Sequence, residues 1–597
     1  VSDVTHVDDM TAAGGFETDD TRDRRYALSA TGVLGELNAA GLIEAADVHV
    51  ASRLTQLTGE TDDLVTATLA VLVRAVREGS TSLAPEHARE VIEPVVEDLP
   101  DDDTWLERVS AGALHEHGVI GVEHSLIYLD RYHREERQVA EDLARRETTD
   151  PPPVDDATLS AGLDRVFAGE TWDEQRAAVR TAAGRLSTVL AGGPGTGKTS
   201  TVAGLLTLLL EQAEPSGRRP RIALAAPTGK AAARLRESVL SSLAHLPEED
   251  RARLGTDIEA VTIHRLLGWR PDRSNRFRRD RSNPLPHDIV VVDEASMLSL
   301  TLTARLLEAL RPTARLLLVG DPDQLASVEA GAVLADLVAG YGDGPDSPVV
   351  RLRTSHRFGE EIGELAEAVR VGDADRVMEL LEGGDAAGPV RHLPLDDVLA
   401  VDEALRAPLL EHARTLHDLA ASRQWGPALE ELASHRLLCA HRDGPWGVRP
   451  WNDRIERWLG ESVGHHGRHL SGRPLLVTAN DRGLGLFNGD TGVMTQRWDG
   501  RPVAVFGEPG APVEHAASSL AEVETAYAMT IHKSQGSQAR AVTVLLPEPD
   551  SRLLTRELLY TAITRARESV TLVGSEAAVR AAVSRRTQRA TGLRHRL

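Results

Sequence analysis

An apolar run, Thr188-Val189-Leu190-Ala191, breaks at Gly192-Gly193-Pro194-Gly195-Thr196-Gly197-Lys198-Thr199 and gives way to a helical pattern from Ser200 to Leu210. A strand that feeds a helix through a glycine turn belongs to a parallel sheet with helices on its faces. The turn has a chemical use as well. Its glycines let backbone N–H groups curl around phosphate oxygens, and the positive end of the helix dipole faces the anion. The loop matches G-x-x-x-x-G-K-[ST] in full, so Lys198 is placed to reach the β- and γ-phosphates of a nucleotide and Thr199 carries a hydroxyl for Mg²⁺. Lys198, Lys230 and Lys533 are the only lysines among 597 residues, against 64 arginines. A compact ammonium is required at this loop, and arginine's planar fork does not replace it.

The same texture continues beyond the loop. Ile222-Ala223-Leu224-Ala225 precedes Pro227, Ile289-Val290-Val291-Val292 precedes Asp293, and Leu316-Leu317-Leu318-Val319 precedes Gly320. Continuous apolar strands alternating with helical segments predict a parallel sheet covered on both faces. A second set, Arg436 to Ala440, Ala541 to Leu546 and Val570 to Val573, predicts a second sheet and a cleft between the two. Within it, Leu475 to Thr478, the turns at Gly483, Gly485 and Asn488-Gly489-Asp490, then Val493 to Thr495 and Val503 to Phe506, read as a small inserted β-barrel or hairpin domain. The chain is thus α/β. The expected boundaries are an acidic, disordered start over 1–25, a mainly helical region over 26–150 closed by Asp150-Pro151-Pro152-Pro153, a first sheet domain over 158–345 with a small insertion near 268–287, a second over 346–575 with the β insert at 471–515, and a basic tail over 576–597.

Composition narrows the classes. One cysteine, Cys439, rules out an internal disulfide, and no run approaches the roughly 18 apolar residues of a membrane span, so a soluble cytoplasmic protein is expected. The formal charge of −24 argues against a global nucleic-acid footprint, yet Arg265, Arg270, Arg273, Arg276, Arg278, Arg279 and Arg281 form a local basic segment that is either a solvated loop or a nucleic-acid contact. Arg585, Arg586, Arg589, Arg594 and Arg596 read as a solvated tail. His115-Glu116-His117 and His465-His466 lack a convincing metal-ligand set.

At strand ends, chemistry gathers. Asp293 suits the metal and Glu294 the attacking water. Gln324, in Gly320-Asp321-Pro322-Asp323-Gln324, sits where a neutral amide senses the γ-phosphate. Arg357 and Arg565 are candidates for stabilising charge on the transferring phosphoryl group.

Taken in order, Gln175, the phosphate loop, Ala226 to Ala232, Thr262 to Leu267, Val292 to Met297, Gly320 to Leu325, His356-Arg357, Ile531 to Gly536 and Tyr560 to Arg565 resemble the motifs of superfamily 1 helicases, in particular the RecD-like group, over about residues 158–575. That resemblance implies two RecA-like domains, an SH3-like β insert and ATP with Mg²⁺ as cofactors. It implies Gln175 at adenine, Gly192, Gly193, Pro194, Gly195, Thr196, Gly197, Lys198, Thr199 and Ser200 around the phosphates, and Arg357 and Arg565 at the γ-phosphate. It further implies Thr228, Lys230, Thr262, His264, Lys533 and Ser534 along single-stranded DNA. The group's subunit members travel 5′ to 3′ beside RecB-like and RecC-like partners in bacterial double-strand-break repair and recombination, and the segment from Tyr128 to Arg146 is loosely similar to one that docks on such a partner. The resemblance leaves nuclease activity to a partner subunit, and no free lysine here follows a carboxylate pair to build one. A phosphate-loop phosphotransferase, a stand-alone helicase and a structural subunit with a vestigial ATPase are the alternatives.

Overall fold

The computed structural model describes residues 23–597 apart from 256–257, 271–276, 345, 355–359, 384–387, 465–466, 482 and 588. The acidic start as far as residue 22, Arg273, Arg276, His356-Arg357 and His465-His466 lie outside the described residues.

The N-terminal region is helical as expected, with Gly32–Ala39, Ala45–Thr58 and Asp63–Arg77 packed together. The third helix is buried from Leu64 to Leu72 and is capped by Asp62, whose carboxylate accepts from the Leu64 N–H at 2.8 Å. The region also holds a sheet that helical periodicity does not reveal. Strands β1 (Ser82–Leu83), β2 (Ile120–Glu123) and β3 (Leu126–Leu129) pair antiparallel in the order β1-β3-β2. His124 and Ser125 join β2 to β3 with φ of 53° and 58°, the two-residue turn whose twist matches that of the strands it connects. The helix Asp130–Glu147 then lays Val139, Ala140 and Leu143 into the core of the next domain, and Arg146 donates to Leu186 O at 2.6 Å. The apolar face of the segment likened to a partner-docking element is therefore covered within the chain.

Six parallel strands build the first sheet domain: β4 (Ser187–Gly192), β5 (Ile222–Ala226), β6 (Ala260–Thr262), β7 (Ile289–Val292), β8 (Arg315–Gly320) and β9 (Val349–Leu352), in the order β6-β5-β7-β8-β4-β9. Successive residues face opposite layers. Leu190, Leu224, Val291 and Leu317 pack under Leu205, Leu206 and Leu209 of the helix Lys198–Ala213, whereas Val189, Ala223, Val290 and Leu316 meet Leu302, Leu306 and Leu337. Burial on both faces is why these strands read as unbroken apolar runs. Because β9 pairs with β4, the domain continues to Leu352, past the expected boundary at 345.

The second domain opens with β10 (Val390–Leu393) and β11 (His435–Cys439) and is then interrupted by β12 (Pro474–Val477), β13 (Thr491–Gln496), β14 (Pro502–Glu508), β15 (Ala511–Ala516) and β16 (Val523–Thr525). These five form an antiparallel sheet in the order β15-β14-β13-β12-β16, so the insert runs to Thr525 rather than 515. Strands β17 (Ala528–Thr530), β18 (Ala539–Leu545) and β19 (Ala566–Val573) complete a parallel sheet ordered β10-β19-β18-β11-β17. Among the described residues no helix is long and apolar enough to cross a membrane.

The arginine-rich C-terminus corrects the expectation of a solvated tail. After the helix Glu576–Ser584 the chain crosses back over both other regions. The N–H groups of Thr81 and Ser82 donate to Ala590 O at 2.9 and 3.2 Å, Leu593 is buried, and Arg596 pairs with Glu123 at 2.8 Å. That ion pair holds the Glu123 carboxyl well down, to about 2. Composition alone concealed this strap because its acidic partners are distant in sequence.

Thr591 lies at its centre, with Oγ1 3.1 Å from Glu136 Oε1 and 3.0 Å from Asp336 Oδ2. One hydroxyl proton serves one carboxylate, so the second contact is satisfied when Asp336 carries its own proton. Burial pushes the Asp336 carboxyl up to about 7. A carboxyl raised on folding contributes stability that is fully present below its unfolded value, roughly pH 4, and is lost as pH rises through the folded value. The melting temperature of Asp336→Asn minus that of the wild type is expected to increase from pH 5 to pH 8. A constant difference across that range would show that Asp336 does not titrate there.

Candidate active site

Between the two parallel sheets lies a cleft of about 860 Å³ lined by both domains. The first domain supplies the phosphate loop. Gly195 and Gly197 adopt φ of 85° and 82°, a backbone open to glycine, and Gly197 is the N-cap of the helix Lys198–Ala213. Close approach fixes Gly192 as well, since a Cβ there would lie 2.7 Å from Thr196 Oγ1 and 2.8 Å from Leu352 O. Lys198 Nζ donates to Gly192 O at 2.6 Å and Gly193 O at 2.8 Å. Thr199 and Ser200 follow at the helix start and line the same cleft. Gln175, in the helix Asp173–Ala183, is buried and donates through Nε2 to Thr196 O at 3.0 Å; its Oε1 has no partner among the described residues.

Asp293 and Glu294 follow β7 and line the same cleft as the loop. Burial pushes the Asp293 carboxyl up to about 6, the charge of Glu294 adds to the rise, and Lys198 and Arg234 oppose it. Glu294 has φ of 53°, a left-handed conformation that is costly for a side chain with a Cβ and is found where geometry matters to function. The Thr199 hydroxyl and the Asp293 carboxylate are hard oxygen donors on one cleft, a set that fits Mg²⁺.

At the end of β8, Asp321 is buried and raised to about 6 by that burial, with Lys198 opposing. Its Oδ2 accepts from Gln324 Nε2 at 2.8 Å. Gln324 Oε1 in turn accepts from Arg565 Nη2 at 3.1 Å, a contact that spans the two domains. The same junction includes Leu325 N–H donating to Thr561 Oγ1 at 3.0 Å and Gln535 Nε2 donating to Leu325 O at 3.0 Å. Arg565 also donates to Thr561 O at 3.0 Å, and burial lowers its pKa. Of the expected catalytic set the structure gathers Lys198, Thr199, Asp293, Glu294, Gln324 and Arg565 on one cleft; Arg357 is outside the described residues.

The cleft residues Arg234 and Asp321 escaped the sequence reading, as did Tyr560, which reaches Asp321 from the second domain. Arg234, in the helix Gly229–Ala244, donates across the cleft to Gly536 O and lies near Glu294 and Asp293. Asp321 and Tyr560 sit within motifs whose neighbours drew the attention. Among 64 arginines, no local signal distinguishes Arg234.

The residues expected along DNA are arranged differently from one another. Thr228 and Thr262 cap the helices that follow them, accepting from the N–H of Ala231 and Arg265 at 3.2 Å, and Thr530, outside the expected set, caps the helix of Lys533 in the same way at 3.2 Å. His264 is exposed and its ring stands 5.9 Å from that of Phe277. Lys533 pairs with Glu524 at 3.2 Å and lines, with Thr530, Arg442 and Arg449, a groove of about 260 Å³. Two of the set face inward. Lys230 donates to Gly489 O of the β insert at 3.3 Å, and burial lowers its amine to about 8. Ser534 is buried and donates to Ile531 O at 2.7 Å, so its side chain is not presented on the surface.

Comparison with known proteins decides the family. Residues 175–330 match the AAA domain family and residues 525–573 the UvrD-like helicase C-terminal domain. Over 578 residues, 96% of this chain and 98% of the relative, the sequence is 53% identical to the RecBCD enzyme subunit RecD of Mycobacterium tuberculosis H37Rv. The chain belongs to the RecD family. It is an ATP-dependent superfamily 1 DNA helicase of the RecD type. The RecD subunit of Mycolicibacterium smegmatis is 52% identical over 94% of this chain and 98% of that protein. The ATP-dependent RecD2 DNA helicase of Deinococcus radiodurans is 30% identical over 87% of this chain and 64% of that protein. Among solved structures, a Bacteroides Pif1 helicase in complex with ADP-AlF3 and ssDNA aligns over 67% of this chain and 91% of that one, with 16% identity and a TM-score of 0.38.

Proposed function

We infer that this RecD-family chain is the 5′-to-3′ motor of a RecBCD-type helicase-nuclease, hydrolysing ATP to advance along single-stranded DNA beside RecB-like and RecC-like subunits. One observation carries the reading: Gln324 of the first domain and Arg565 of the second meet at 3.1 Å on the cleft that holds the phosphate loop. The 53% identity to a RecD subunit, against 30% to the RecD2 helicase, supports the subunit over the stand-alone alternative.

ATP lies with its phosphates on the N–H groups of the loop and its adenine against the free Oε1 of Gln175. Lys198 exchanges Gly192 O and Gly193 O for phosphate oxygens. Thr199 and Asp293 would hold Mg²⁺, which when bound neutralises phosphate charge. Glu294 takes the proton of the attacking water, and Arg565 meets the charge that develops on the γ-phosphoryl group. Because Arg565 and Gln324 belong to different domains, the cleft closes as they engage the phosphate and opens after hydrolysis. Residues where strands of both sheets pass into helices, Thr228 and Thr262 on one and Thr530 and Lys533 on the other, grip the DNA backbone alternately. Such contacts are sequence-independent and salt-sensitive.

The test is ATPase activity with and without single-stranded DNA, and unwinding of 5′-tailed against 3′-tailed duplexes, by the chain alone and with its partners. DNA-stimulated hydrolysis with unwinding from the 5′ tail is the expected outcome. Hydrolysis indifferent to DNA in both preparations would overturn the reading.

A further inference from the structure

Tyr560 has no role in the mechanism above, yet it bridges the second domain to the first beside the phosphate loop. It belongs to the helix Arg556–Ile563 of the second domain and is 5% exposed. Its hydroxyl donates to Asp321 Oδ2 of the first domain at 3.2 Å. The same hydroxyl lies against the loop, since a Cβ on Gly193 would stand 3.0 Å from it.

Asp321 Oδ2 is the acceptor for both Tyr560 and Gln324. An amide has one donating and one accepting end, a carboxylate accepts, and a guanidinium donates. With Nε2 of Gln324 held by Asp321, Oε1 must turn toward Arg565, and the 3.1 Å contact to Nη2 is the result. The order Tyr560, Asp321, Gln324, Arg565 is therefore a directed chain. It leaves the second domain at Tyr560, passes through two side chains at the end of β8, and returns to the second domain at Arg565.

We propose that Tyr560 is a positioning residue for ATP hydrolysis: its hydroxyl pins Asp321, which orients Gln324, which aims Arg565. The proposal rests on the helicase reading and adds to it a residue that touches no reacting atom. Burial of the ring would be preserved by phenylalanine, so a residue that merely packs would tolerate that change. A positioning hydroxyl would not.

The experiment uses the complete complex with saturating single-stranded DNA. Tyr560→Phe is expected to lower kcat for ATP hydrolysis about tenfold, the cost of one buried hydrogen bond at the transition state, with KM for ATP within about twofold of the wild type. In an Asp321→Ala background, followed by single-turnover hydrolysis where rates are low, the same substitution is expected to change the rate by less than about twofold, because the chain is already cut. An unaltered kcat, a rise in KM alone, or equal losses in both backgrounds would overturn the proposal while leaving the helicase reading intact. A wild-type complex without DNA-dependent hydrolysis would overturn both.

Discussion

Lys198→Ala is expected to reduce DNA-stimulated ATP hydrolysis by at least 10²–10³-fold, the range for removing one preorganised group from a transferring phosphoryl centre. The loop should survive the loss. Its shape is set by glycines at positive φ and by Thr196 Oγ1 donating to Gly193 O at 2.9 Å, neither of which involves the lysine. Lys198 itself lines the open cleft, from which water can replace the ammonium at Gly192 O and Gly193 O. Melting temperature and DNA binding should therefore be close to wild type. Lys198→Arg is not expected to restore activity, because the loop cradles a point charge rather than a planar fork. Substantial residual hydrolysis by Lys198→Ala would remove the lysine from the phosphate site, and normal unwinding by a complex carrying it would favour a vestigial ATPase.

The parts of the fold that the sequence disclosed are those in which one local pattern suffices. Strands β4, β5, β7, β8, β11, β18 and β19 are apolar runs sandwiched between helical layers, and each was legible. Strand β9 was not, since Val349-Val350-Arg351-Leu352 is short and partly exposed at a sheet edge. The N-terminal hairpin was hidden by its length, and its turn by His124 and Ser125 standing where asparagine and glycine are usual. The C-terminal strap depends on Glu123, Glu136 and Asp336, hundreds of residues away, so an arginine-rich end read as solvated. The site divides in the same way. Lys198, Asp293, Glu294 and Gln324 announce themselves by following strands, whereas Tyr560 and Arg234 gain meaning only when the second domain closes on the first. Lys230 shows the converse, a motif lysine whose observed partner, Gly489 O, comes from an inserted sheet.

Arg565→Ala carries the other large effect, and the substitution has two separable consequences. The guanidinium donates to Thr561 O at 3.0 Å, Gln324 Oε1 at 3.1 Å, Thr564 Oγ1 at 3.3 Å and Ser537 O at 3.4 Å, all within a buried setting. Its removal leaves buried acceptors unmatched, at about 1–3 kcal/mol. That loss affects stability, and in a multidomain chain it affects the junction between domains first. Catalysis should suffer far more, by roughly 10³–10⁵-fold in kcat, if Arg565 meets the charge that develops on the γ-phosphoryl group as proposed. ATP binding should persist, since the loop, Gln175 and Lys198 all lie on the first domain. The decisive measurement is therefore nucleotide affinity beside single-turnover hydrolysis at a temperature well below the variant's melting point. Retained affinity with a collapsed rate assigns Arg565 to the reaction. A proportionate loss of both, recovered on cooling, would assign it to holding the domains together instead.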